Sequence, residues 1–198
     1  MLPQLEQIMY QLSDLFMAPV LCLIALLFIY SLFASGQHMM QSIQRKRYYS
    51  HFLRFLNNGG TSEKGHAPKG YSLANLFQLF PDVSKDQLDV AALKELEGVR
   101  NVSRLAPMLG LIATMIPMGP ALKSLADGNI QGISENLIVA FSAVIFGLVI
   151  ASITFWIASI KKRWLAEELV ALTPLIEQRQ RARALKIVKD TGAADEAA

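Results

Sequence analysis

The chain has 198 residues, of which 53% are hydrophobic and only 18% charged, with a net charge of +3. A soluble domain carries about 25% charged residues, and the shortfall here is concentrated, because Leu15–Gln44, Leu105–Leu122 and Asn136–Ile160 contain no Asp, Glu, Lys or Arg. That distribution excludes an ordinary soluble domain, and cations placed at the ends of apolar runs, rather than among base-stacking aromatics, exclude a nucleic-acid surface.

The predicted elements follow in chain order. Residues 1–14 carry Leu5, Ile8, Met9 and Leu12 at helical spacing and read as a short interfacial helix on the outer face. Residues 15–36 are the first span. No Lys or Arg precedes Arg45, so this run lacks the basic n-region of a cleavable signal and is expected to enter the bilayer N-terminus outward. Its single cysteine, Cys22, has no partner for a disulfide or a thiolate metal site.

Residues 37–104 are expected in the cytoplasm. Within them Arg45-Lys46-Arg47 follows the span and the Gly- and Asn-rich stretch 57–70 reads as a loop. Leu73, Leu76, Phe77 and Phe80 form a short helical face ending at Pro81. Ser84 with Gln87 three residues on fits a capping box. Leu88, Ala92, Leu96, Val99 and Val102 then repeat every three or four residues, giving a helix that runs as a stalk into the second span, 105–123. An outer loop, 124–135, leads to the third span, 136–160. Residues 161–198 are a cytoplasmic helix, with Leu165, Leu169, Leu172 and Ile176 on one face, and a polar tail.

Counting cations tests this topology. Of the 19 Lys and Arg residues, ten lie in 36–104 and eight in 161–198, leaving only Lys123 outside. The positive-inside rule therefore supports an all-α membrane protein with three transmembrane helices, N-terminus out, C-terminus in, and long cytoplasmic helical extensions.

Two stripes of small residues cross the second and third spans. Gly110, Thr114, Pro117 and Ala121 are spaced by four, three and four residues, and Ala143, Gly147 and Ala151 by four, with Thr154 beyond. Such stripes let membrane helices approach closely. They suit ordinary packing between the spans, and equally a smooth lining that slides past a central partner. Pro107, Pro117 and Pro120 free backbone carbonyls in the second span, either as bends or as polar points. No span core holds an acid or base, so a proton path through this chain requires a membrane carboxylate supplied by a partner. His38, His51 and His66 lack metal-ligand spacing, and no nucleophile–base pair or phosphate loop is visible, so neither a metal, a cofactor nor an enzymatic activity is expected.

The segment Leu105–Ile153 resembles the MotA/TolQ/ExbB proton-channel family. The resemblance is carried by Leu105-Ala106-Pro107 opening the second span, Gly110-Leu111, and Ala113-Thr114 where the family has Gly-Thr; in the third span by Ala140, Ala143 and Gly147-Leu148. The three-span topology is similar to the ExbB/TolQ branch. The resemblance implies a ring of subunits, a pentamer, in the bacterial inner membrane. The ring would surround an ExbD/TolR-like single-span partner whose membrane Asp carries the proton. Proton motive force would drive the assembly to energise outer-membrane transport or envelope processes. It also implies that Thr114 lines the ion path, with Gly110, Pro117, Ala143, Gly147 and Ala151 around it.

Two departures stand out. Val144 occupies the place of the family's third-span threonine, with Ser142 as a partial substitute, and Val139 stands where many relatives carry Glu. Glu135, one turn earlier, is either the acid at the mouth of the ion path or a solvated charge favoured at a helix N-terminus. A non-conducting scaffold and a permease subunit of a primary transporter remain as alternative functions.

Overall fold

The computed structural model describes the backbone of residues 2–61, 67–80 and 82–195, and the side chains of 15–61, 67–80 and 82–185. The described residues form four helices and no strand: α1 (Leu2–Asn57), α2 (Ser72–Leu79), α3 (Lys85–Ala126) and α4 (Ile130–Asp195). The protein is all-α. Three of these helices, α1, α3 and α4, are long and apolar enough to cross a membrane. Backbone amides cannot find water in hydrocarbon, so segments with every hydrogen bond inside one helix are what such sequences must form.

Residues 2–14 continue into the first span as one helix. The apolar face expected there, and His66 and Pro81, lie outside the described side chains.

The chain divides into two compact units. One comprises Met1–His38 with Glu97–Ser159, the other Met39–Leu96 with Ile160–Ala198. In the first, the three apolar segments pack through Ile24 of α1, Ala106 and Ala113 of α3, and Ala143 and Ile150 of α4. Phe28 and Phe146 add an edge-to-face contact with ring centroids 5.3 Å apart. A smaller cluster joins Ala34, Val99 and Ile157.

The turn between α3 and α4 is shorter than the sequence suggests, since only Asp127–Asn129 separate the helices. Gly128 adopts φ +71°, and the amides of Gly128 and Asn129 bond back to the carbonyls of Leu125 (3.1 Å) and Ser124 (2.8 Å). This is the paired 5→2 and 6→1 pattern that closes a helix with glycine in the left-handed region. Asn129 then caps the next helix, its Oδ1 accepting from Gly132 N at 3.0 Å. One residue serves both ends, and helix resumes at Ile130 instead of beyond Ser134.

The second unit is built on a core of Phe52, Phe55, Tyr71, Leu73, Phe77, Leu88, Leu165, Leu172 and Ile176. The short helix α2 is almost wholly absorbed in it, with Leu73, Ala74 and Phe77 buried. The capping box at the start of α3 is formed: Ser84 N donates to Gln87 Oε1 at 3.0 Å and Gln87 N to Ser84 Oγ at 3.2 Å. Ser84→Ala is expected to lower stability by about 1 kcal/mol, and an unchanged unfolding midpoint would show the cap to be dispensable. At the far side, Arg179 stacks over the Phe77 ring, 4.0 Å from its centroid, and donates to Gly59 O at 3.1 Å.

Candidate functional site

The small residues of the second and third spans meet inside one protomer. A Cβ built on Gly147 would stand 2.8 Å from Ala106 O and 3.2 Å from Gly110 Cα, and one on Gly110 would stand 3.4 Å from Val144 Cα and 3.5 Å from Ala143 O. The two glycines bring bare backbone against backbone, the close approach that drives helix association where no hydrophobic effect operates. Ala106, Ala113, Ala140 and Ala143 are buried around them, and Pro117 is fully enclosed. Gly110, Pro117, Ala143 and Gly147 are therefore occupied in packing within the protomer. Ala151 is half-buried, and its carbonyl accepts from Thr154 Oγ1 at 3.2 Å and Ser103 Oγ at 3.5 Å.

The polar residues are placed differently. Thr114 is half-buried, and its hydroxyl donates to Leu111 O at 2.6 Å. Thr154 is completely buried and donates to Ile150 O at 2.7 Å. Ser152 and Ser159 likewise bond carbonyls four residues back. This is how hydroxyls are satisfied on a membrane helix with no outside partner. Each still has lone pairs to offer a second group. Ser142 is on the exposed surface of the protomer. Glu135 is also exposed, accepting from Gln131 Nε2 at 3.0 Å one turn back. Around these groups the outward faces are apolar, with Met108, Leu111, Met115 and Leu122 on α3 and Ile138, Phe141 and Ile145 on α4 exposed.

The second unit holds a buried polar centre that sequence reasoning missed. Arg45 was read as a topology cation, yet its side chain is 9% exposed and paired with Glu168, whose own side chain is wholly buried. Glu168 Oε2 also accepts from Leu73 N at 3.0 Å, so the carboxylate ties α1, α2 and α4 together. Arg45 additionally donates to Gly70 O at 3.2 Å and Trp164 O at 3.4 Å. Its guanidinium lies over Tyr71 and Trp164, 4.3 and 5.1 Å from the ring centroids. One signal could have exposed this centre: Glu168 stands in the apolar stripe Leu165, Leu172 and Ile176, where a solvated acid has no place.

Burial raises the Glu168 carboxyl to about 7, against the opposing pull of Arg45 and the amides of Leu73 and Ala74. A folded-state value above the unfolded one means the native protein holds a proton that the unfolded chain releases. The stability from this group is fully present below the ordinary carboxyl value of 4.5 and is lost as pH rises through about 7. The change amounts to about 3 kcal/mol. Glu168→Gln should flatten this dependence, measured as unfolding midpoint against pH; parallel profiles for the two proteins would contradict the shift.

Three apolar helices, cations gathered at their ends and a backbone-to-backbone contact between the second and third of them define a helical membrane protein. Residues 81–173, a stretch that includes the second and third apolar helices, match the sequence model described as the MotA/TolQ/ExbB proton channel family. No significant match was found to a curated protein or to a solved structure.

Proposed function

We propose that the protein is a ring-forming subunit of a proton-motive-force-driven motor in the bacterial inner membrane. It works with an ExbD/TolR-like single-span partner to energise outer-membrane transport or an envelope process. The family match over residues 81–173 carries this reading. It is supported by the spans themselves. They hold hydroxyls but no acid or base in their cores, so the proton's carrier must be a membrane Asp on the partner, and Thr114, with Ser142, is the group able to bond it. Glu135 serves at the outer mouth. The exposed apolar faces of α3 and α4 are then shared between neighbouring subunits, partner and lipid. In this reading the chain performs no covalent chemistry of its own.

The deciding experiment is the native mass of the complex in mild detergent, after co-expression with a single-span partner from the same genome. A pentamer binding a dimer of the partner is expected. A monomer or dimer that binds no such partner would remove the proposal and leave a transporter permease subunit. Ion transfer is tested separately in vesicles holding both proteins. Thr114→Val should reduce proton flux by about a hundredfold, the lower end of what one positioned proton-transfer group contributes.

A second reading, a non-conducting scaffold, draws on Val144 in place of the third-span threonine. It predicts a ring that assembles normally but carries no proton flux with or without its partner.

A further inference from the structure

In the second unit, α1 and α3 each carry an exposed apolar face that ends in a charge. On α1 it is Met40 and Ile43, followed by Arg47; on α3 it is Leu93 and Val90, preceded by Asp86. Within each set the spacings are three and four residues, so each set runs along one side of its helix. Neither Arg47 nor Asp86 forms an ion pair among the described residues.

Two ion pairs fix the register of the three long helices here. Arg45 of α1 meets Glu168 of α4, and Glu95 of α3 meets Lys161 of α4 at 3.7 Å. Counted from these contacts, with α1 and α4 running one way and α3 the other, Met40 is level with Leu93, Ile43 with Val90 and Arg47 with Asp86. Hydrocarbon does not cover these side chains. Ile43 and Val90 are level with Ala166, six residues past the charge-free segment that ends at Ile160. At 1.5 Å per residue that is about 9 Å, past a headgroup layer of about 5–8 Å. A contiguous apolar face held in water marks a surface for another protein.

A second copy of this chain fits. Copies that share one orientation in a bilayer are related by rotation about its normal, which keeps every residue at its own level. A face of one copy can therefore meet its neighbour only at matching levels, and these two faces match in both chemistry and level. Their wider charge agrees: Met39–Asn57 of α1 holds four Lys or Arg and no acid, whereas Lys85–Glu97 of α3 holds four acids and two lysines. We propose that Met40, Ile43 and Arg47 of one copy pack against Leu93, Val90 and Asp86 of the next. The proposal rests on the ring proposed above for the presence of a neighbour, and adds which faces join; the contact is head-to-tail, the kind that closes into a ring.

The sequence has one cysteine, so Cys22→Ala gives a blank background. Two full-length forms, one with Ile43→Cys and one with Val90→Cys, are co-expressed with different tags and treated in membranes with a short bismaleimide. Together they should give a cross-linked dimer. Each alone should give none, because a head-to-tail contact does not set a residue against its own copy. Leu53→Cys with Leu93→Cys, thirteen residues out of level and so about 20 Å apart along the helices, should not join. Adding Arg47→Asp to both forms sets two acids face to face and should lower the yield of the Ile43→Cys and Val90→Cys pair about tenfold; adding Asp86→Arg as well should restore it. A dimer from either single form, cross-linking of the out-of-level pair in preference, or a reversed charge pair no better than Arg47→Asp alone overturns the proposal. The native mass of the same samples separates the two readings. No cross-link in an intact ring removes this interface and leaves the ring, whereas no cross-link in a monomer removes both.

Discussion

Arg45→Ala should lower the stability of the protein by about 3–5 kcal/mol well above pH 7, where Glu168 would otherwise be ionised beside its partner, the cost of leaving a buried charge unpaired or forcing it to keep its proton. Glu168 has no water to turn to, because its side chain is wholly buried. Removing the guanidinium also deletes the donors to Gly70 O and Trp164 O and the cation over two aromatic rings. Without the cation the carboxyl holds its proton to still higher pH, so the loss should shrink on acidification. Arg45→Met combined with Glu168→Leu should recover most of it, since an apolar pair of similar volume costs no desolvation. Unfolding midpoints in detergent at several pH values decide the matter. A single substitution as mild as the double one would mean that the pair contributes nothing to holding α1, α2 and α4 together.

Gly147→Leu should prevent the second and third spans from packing and abolish recovery of folded protein. Even Gly147→Ala should cost about 1–3 kcal/mol, the range for forcing a methyl into a filled site. The first atoms a new Cβ meets are Ala106 O at 2.8 Å and Gly110 Cα at 3.2 Å, both backbone, which cannot rotate away. Gly110→Ala should be much milder, because its Cβ would reach Val144 Cα at 3.4 Å, an ordinary contact. Thermal melting of the three variants side by side gives the order. If Gly110→Ala and Gly147→Ala melt together, the asymmetry of the contact is not real.

The spans were readable from sequence because a bilayer imposes a composition: a run with no charge of sufficient length has few other uses. The capping box at Ser84 and Gln87 was readable for a similar reason, since both partners lie within one turn. The small-residue stripes showed which faces of α3 and α4 are special but not what meets them. Packing and lining ask for the same residues. Only the fold turns Gly110, Ala143 and Gly147 toward one another within a protomer and leaves Ser142 and Glu135 outside. Arg45 and Glu168 were illegible because nothing local links residues 123 positions apart, and an arginine after a span already has a sufficient explanation in topology. The early restart of α4 was missed because Asn129, Gly128 and Gly132 are all loop-formers by type. Their joint role in ending one helix and starting the next depends on backbone geometry.

That shared turn bears on how the protein enters the membrane. With only Asp127–Asn129 between α3 and α4, neither span can be threaded alone while the other waits in water. In the orientation expected from the cation count, Lys123, Asp127 and Glu135 cross together, at the tip of a hairpin whose two arms are already closed by a common residue. Lengthening the turn, as an inserted epitope would, separates the last amide bonds of α3 from the cap of α4. The tip of the hairpin is thus a stage in biogenesis, and a poor place to attach a label.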